Sequence, residues 1–386
     1  MAQETEQKPA EKSRRLLSLD VLRGMAIAGM MVVNNHGPGS EVYTQIEHSP
    51  WNGCTFADWV FPTFLFVVGV AITFSFGRRA VSETDKKSLY LHIVRRSVIL
   101  FVLGVVLNAI SYNNFPFFYL STVRIPGVLQ RIAVCYLVTS LILLNFKIRG
   151  QAVWTVGFLA AYWLMIKLIP VPGYGAGVMV PAGSLEWFVD SHVFSGHTYI
   201  YAPFPGFDPE GLMSTIPAIS TTLFGVLAGQ LLRSEVKHEL KTLWLLGGGA
   251  LLAIAGLVLD LWLPINKNLW TSSYSVYMSG VDLMCLGILF WLIDVRGYRK
   301  WSTPFVIYGM NAISIYCLAD VVAKLLVMIQ WESGGRALAL RSFLYEDVLL
   351  RFASPINASL IYAISFMLFM YFIAWIMWQR KWFLKV

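Results

Sequence analysis

Long apolar runs separated by short charged segments dominate the chain. A helix needs about 20 mostly apolar residues to cross a hydrocarbon core of ~30 Å. Ten stretches meet that length, at 19–36, 57–77, 92–111, 126–146, 152–170, 213–232, 242–263, 274–294, 304–329 and 357–379. The pattern predicts an all-α polytopic membrane protein with about ten transmembrane helices. No composition shift divides the chain and no internal repeat is visible. Residues 1–386 are therefore read as a single transmembrane domain, with 1–16 a flexible cytoplasmic tail. That tail is polar, and no short apolar stretch with a small-residue cleavage site follows it, so a signal peptide is not expected.

Basic residues give the sidedness, because cytoplasmic loops carry the excess of Lys and Arg. With the N-terminus inside, 22 of the 30 Lys and Arg fall on the cytoplasmic side, 7 on the outer side, and Arg131 lies within a span. Adding or removing one span breaks this alternation. Both termini are thus expected in the cytoplasm, and the long loops 37–56, 112–125, 171–212 and 330–356 outside, in the cell (inner or plasma) membrane. Long loops on a rigid scaffold often carry function. The 171–212 loop is rich in Gly, Pro and aromatics and is expected to lid an outward-facing site. Its end, FDPEGLMSTIP, reads as a helix start, with Asp208 as cap, Pro209 in the first turn and Glu210 at the positive helix end.

Composition narrows the function classes. Hydrophobic residues make up 57% of the chain and charged ones 13%, against about 25% charged in ordinary soluble domains. A soluble globular domain, a disordered chain and a nucleic-acid-binding module are excluded. The net charge of +8 does not restore nucleic acid as a partner, because the basic residues sit in short segments between apolar runs and not on one face. Cys54, Cys135, Cys285 and Cys317 have neither disulfide-framework nor metal-ligand spacing, so no metal is expected. Nucleotide-binding glycine loops and HExxH are absent from the sequence.

Four constellations carry candidate chemistry. The first is NNHGPGSEVYTQIEHSPWNGCTFADWVFP at 34–62. His48 is a candidate general base, Asp58 can hold its imidazole in one tautomer, and Asn35 can donate to an oxyanion. A loop histidine is more often a solvated surface residue, and Thr55-x-x-Asp58 reads equally as a capping box. His36, His192 and His197 compete with His48 on composition alone. The second is Arg124-x-x-Gly127-x-x-Gln130-Arg131. A charge inside a span is costly and marks either a lined cavity or a structural pair with an acid such as Asp58 or Asp282. The third is LDVLRG, where Arg23 either holds an anionic cofactor or makes a local salt bridge with Asp20. The fourth is PINKNLW with GMNAISIY. It places Asn266, Lys267, Asn268 and Asn311 near the outer half, where amides and a lysine bind sugar hydroxyls or phosphate, or simply make turns.

Several strings, in order, resemble the heparan-alpha-glucosaminide N-acetyltransferase family and its bacterial NagX-type relatives. They are SLDVLRGMAI, HSPWNGCTFADWVFPTFLFVVG, RIPGVLQRIAV, DPEGLMSTIPAI and PINKNLWTSSY, spread from residue 18 to about 274. The resemblance implies a multi-pass acyltransferase that takes acetyl from cytosolic acetyl-CoA, its co-substrate, to the amino group of a glucosamine on the far side. It points to His48 as the active histidine, to Asn35 and Asp58 as its companions, and to Gln130-Arg131. Arg23, Arg124, Lys267 and Asn311 complete the expected cofactor-binding set. The lysosomal enzyme's large extra N-terminal region and first span have no counterpart, so free glucosamine or a small amino sugar is expected as acceptor over a glycan end. Membrane lipid and a second copy, as a homodimer, are the other partners considered.

CoA is multiply anionic and cannot cross hydrocarbon. The expected arrangement therefore docks the nucleotide at the inner mouth near Arg23 and threads the pantetheine arm between helices toward His48. Direct transfer and a ping-pong route through acetyl-histidine both remain open. Two rival readings are a sugar permease, which would show broken helices and repeated halves, and an O-acyltransferase acting on a glycan.

Overall fold

The computed structural model describes residues 16–39, 41–76, 86–110, 120–333 and 335–383. The expected tail over 1–15, Arg78 and Arg79, and most of the 112–125 loop lie outside the described residues. Helix α1 runs Leu17–Asn34, α2 Phe56–Phe76, α3 Lys86–Ala109, α4 Val128–Asn145 and α5 Ile148–Leu168. After the short α6, Leu185–Val193, come α7 Leu212–Arg233, α8 His238–Asp260 and α9 Ser272–Leu289, which continues as a π-helix to Val295. Then follow α10 Thr303–Met310, α11 Ala312–Met328, the hairpin β1 Gln330–Ser333 and β2 Arg336–Ala339, α12 Leu340–Ser342, and α13 Pro355–Gln379.

Among the described residues, nine helices are long and apolar enough to cross a membrane, and the bent pair α10–α11 raises the number to as many as ten. The fold is thus all-α and polytopic, with little sheet. Burial separates two rings of helices. The central α1, α2 and α7 have 67%, 72% and 78% of their most apolar window buried inside the protein, whereas α5 and α8 have 22% each. Outer helices this apolar and this exposed are stable only in a surround without water, because each bare leucine or valine in water forfeits roughly 1.5–3 kcal/mol of burial. The protein is therefore a multi-pass membrane protein.

Without a hydrophobic force between helices in lipid, close approach through small residues sets their contacts. A Cβ on Gly69 of α2 would overlap the Thr222 carbonyl of α7, and one on Gly225 would overlap the Phe66 carbonyl. Gly24 of α1 and Gly309 of α10 meet in the same manner, against Phe305 and Asp20 backbone.

Three expectations are corrected. The span expected over 304–329 is broken, with a 71° bend at Asn311. Asn311 itself does not lie in the outer half. Its side-chain amide donates to the Trp382 carbonyl at 3.1 Å, at the end where α13 finishes, whereas the start of α13 lies by Gly37, whose N–H reaches Ser359. The helix expected to start at Asp208 begins at Leu212 instead, with Gly211 as its N-cap. Asp208 caps nothing in α7, because its carboxylate is taken by the Glu210 and Tyr199 N–H groups and by Arg124.

Candidate active site

The loop between α1 and α2 brings His48 against the first turn of α2. Its Nδ1 lies 2.8 Å from Asp58 Oδ1. A carboxylate only accepts, so Nδ1 carries the ring proton and Nε2 keeps its lone pair. The two oxygens of Asp58 have separate partners. Oδ2 accepts from the Thr55 N–H at 3.0 Å, the reciprocal half of a capping box, and from the Ser49 N–H at 3.0 Å. Oδ1 is left for the imidazole. Asp58 is buried with its side chain 1% exposed, while the His48 side chain is 45% exposed. A buried, fully bonded carboxylate behind an open imidazole fixes the ring without blocking it.

A proline places the next contact. Pro62 has no N–H for the Asp58 carbonyl one turn back, and the Tyr274 hydroxyl of α9 donates to that carbonyl at 2.6 Å. The adjoining PINKNLW loop is stitched to the WNG loop along the backbone. Gly53 N–H donates to the Ile265 carbonyl at 2.7 Å, and the Asn266 amide donates to Asn52 Oδ1 at 3.1 Å. Within the loop, Asn266 Oδ1 accepts the Leu269 N–H at 2.9 Å. The expected turn chemistry of Asn266 is therefore present. This stitching carries Lys267 to the histidine, with Nζ 3.0 Å from Nδ1, 3.1 Å from Nε2 and 3.6 Å from Asp58 Oδ1.

Two opposing fields act on the ring. Burial and the Lys267 ammonium lower the His48 pKa from its ordinary value, while the Asp58 hydrogen bond and charge and the more distant Glu210 raise it, and the lowering wins. The imidazole is consequently neutral and basic at neutral pH, with Nε2 the available base.

The Arg124–Arg131 constellation divides between two sets of partners. Arg124 grips Asp208 with two nitrogens, at 2.9 and 2.6 Å, also meets Glu210, and lies 4.4 Å over the Tyr199 ring. Its charge is engaged by internal carboxylates that fix the FDPEG turn. Arg131 is buried at 2% exposure. It pairs with neither Asp58 nor Asp282. Instead it lies 4.8 Å over the Trp270 ring and donates to the Pro209 carbonyl and to Ser214. Asp282 accepts from Trp59 and Thr63. Gln130 is buried, its side-chain NH2 without a partner among the described residues.

The remaining expected residues make hydrogen bonds of their own. The Asn35 amide donates to the Met31 carbonyl at 3.1 Å, one turn back on its own helix. Arg23, near the opposite end of α1, makes the local bridge to Asp20 at 3.2 Å and reaches the Gly309 carbonyl at 3.4 Å. Of the competing outer histidines, His36, His192 and His197 each place Nδ1 on a backbone carbonyl. Among the described residues, His48 is the one of these four that meets a carboxylate. Sequence reasoning grouped Lys267 with sugar or phosphate binders and missed both its place at His48 and Trp270 under Arg131. The available signal was the run of polar residues in PINKNLW next to an outer span end.

The family model described as heparan-alpha-glucosaminide N-acetyltransferase, catalytic, matches residues 15–263. The mouse heparan-alpha-glucosaminide N-acetyltransferase is 32% identical over 371 residues, covering 83% of this chain and 55% of the mouse protein. The human protein of the same name is 31% identical over 355 residues, covering 78% of this chain and 52% of its own length. The chain thus spans about half the length of the curated relatives it matches.

Proposed function

The chain belongs to the heparan-alpha-glucosaminide N-acetyltransferase catalytic family, and from that premise we propose that it is a membrane N-acetyltransferase with acetyl-CoA as donor and an amino sugar as acceptor. The observation that carries the reading is the half-exposed His48 imidazole held at 2.8 Å by a buried Asp58. In the reaction, His48 Nε2 takes the proton from the acceptor amine as its nitrogen attacks the thioester carbonyl. The tetrahedral intermediate collapses to the amide, and the imidazolium returns the proton to the departing CoA thiolate. Asp58 keeps the ring oriented throughout and balances the charge it briefly carries. Asn35 would serve the oxyanion only after leaving the Met31 carbonyl. A single domain in the inner or plasma membrane, with both termini in the cytoplasm, completes the proposal. The excess of Lys and Arg on the side of the termini supports that orientation.

The test uses inverted and right-side-out membrane vesicles carrying the full chain. Labelled acetyl-CoA on the cytoplasmic face, with glucosamine on the other, is expected to give N-acetylglucosamine. His48→Ala is expected to lower the rate by about 10²–10⁴-fold, the usual worth of a general base. Glucose in place of glucosamine separates O-transfer from N-transfer. The bend at Asn311 is the one feature that favours a permease. Glucosamine uptake without acetyl-CoA, unchanged by His48→Ala, would establish that rival and end this reading.

A further inference from the structure

The ammonium of Lys267 stands 3.0 and 3.1 Å from the two His48 ring nitrogens, on a loop 219 residues away in sequence. Near-equal distances to both nitrogens put Nζ over the face of the ring and not on the in-plane lone pair of Nε2. We propose that Lys267 is a positioning residue for His48, a fixed positive charge held against the ring face that disfavours the imidazolium and leaves the Nε2 lone pair open to the acceptor amine. This rests on the functional reading above only as far as His48 acts as a base.

Three features of the geometry argue for it. The side chain is held, not trailing: it is 15% exposed, and its loop is fixed by the Gly53–Ile265 and Asn266–Asn52 hydrogen bonds. The charge faces the ring and not the open side, with Asp58 Oδ1 3.6 Å away as counter-ion. The third is the balance of groups around the pair. Asp58 of α2 and Glu210 of the turn before α7 both pull protons onto His48. Against those two carboxylates, burial first and the Lys267 charge second disfavour the imidazolium. Burial, the largest influence, lowers the Lys267 pKa from its ordinary value, with Arg131 of α4 acting the same way and Asp58 and Glu210 opposing it. Asp58 Oδ1 at 3.6 Å favours the ammonium form of the lysine, and that ammonium in turn disfavours the imidazolium.

The experiment compares wild type, Lys267→Met and Lys267→Arg in the purified full chain. One readout is the pH dependence of kcat/KM for acetyl transfer. The other is the pH dependence of carbethoxylation of His48 by diethylpyrocarbonate, followed by peptide mass spectrometry. The reagent attacks only the neutral imidazole and needs no catalysis. Lys267→Met is expected to move both midpoints upward by about one pH unit, the effect of removing a charge at this range. It should therefore lose a few-fold more activity at pH 6 than at pH 8, and Lys267→Arg should restore the wild-type midpoints. Midpoints that coincide in all three proteins would overturn the proposal, whatever the rates do. A shifted carbethoxylation midpoint in a protein with no acetyl transfer would support Lys267 as the group controlling His48 and overturn the acetyltransferase reading alone.

Discussion

The two oxygens of Asp58 do separable work, and substitution can divide them. Thr55 and Ser49 hold Oδ2, whereas Oδ1 holds the imidazole. Thr55→Ala removes the hydroxyl that donates to the Glu47 carbonyl and to Asp58 Oδ2 and is expected to cost about 1 kcal/mol of stability, with acetyl transfer reduced less than tenfold, because Oδ1 and the Thr55 N–H are untouched. Asp58→Asn keeps the shape, but its amide can no longer both accept from Nδ1–H and stay anionic. Transfer is expected to fall by at least about 10²-fold, since orientation and charge balance go together. Thermal unfolding and initial rates on the same preparations check the pair, and equal rate losses in both variants would refute the division. His48 and Asp58 were legible in the sequence because they lie ten residues apart in one motif. Lys267 was visible as a residue but not as their neighbour, because a contact across 219 residues leaves no local periodicity.

Helices were legible wherever an apolar run alone decided them, and obscure where a specific contact did. Nothing in GMNAISIY announces the bend at Asn311, since the run stays apolar through it. The α6 segment is decided by contact too. Its Glu186 Oε1 lies 2.6 Å from the Tyr162 hydroxyl of α5, which also lies 2.7 Å from the Leu269 carbonyl in the loop carrying Lys267. One phenolic proton serves only one acceptor, so both contacts are hydrogen bonds only when Glu186 is a neutral acid donating to Tyr162. Burial raises Glu186 to about 7, and Asp190 on the same helix to about 7. Both folded-state values exceed the unfolded ones, so the folded state binds more protons and stability falls as pH rises from about 4.5 through 7. The steepest slope per group is ~1.4 kcal/mol per pH unit. Glu186→Gln, a permanent neutral donor, is expected to remove its share of that slope and leave the share of Asp190. Thermal unfolding in detergent between pH 5 and 8 reads this directly, and an unchanged slope would show that Glu186 is already ionised in the folded protein.

At the scale of the whole molecule, the site and the terminal end of the bundle are separated by the length of α1, with Arg23 near its start and Asn34 at its finish. In the proposed reaction, a thioester supplied on one side must reach an imidazole on the other without its nucleotide crossing hydrocarbon. A narrow slot of about 10 Å³ lies between the helices, lined by Ile27 of α1, Phe64 of α2, Ile132 of α4 and Tyr316 of α11 among others. Its lining is apolar, which suits an uncharged arm and rejects a phosphate. It begins about six residues along α2 from Asp58, roughly 9 Å at the helical rise, and touches α11 at Ile313, just after the bend. The composition of each helix could be read from the sequence; this slot could not, because it exists only where four separate helices fail to fill the space between them. Ile132→Trp fills it at an overpacking cost of about 1–3 kcal/mol. The expected outcome is at least a tenfold loss of acetyl transfer, while His48 stays as reactive to diethylpyrocarbonate added from its own side as in wild type. That combination separates a blocked route from a damaged site. A filled slot with undiminished transfer would mean that the thioester arrives between a different set of helices, and the four-helix seam would be packing alone.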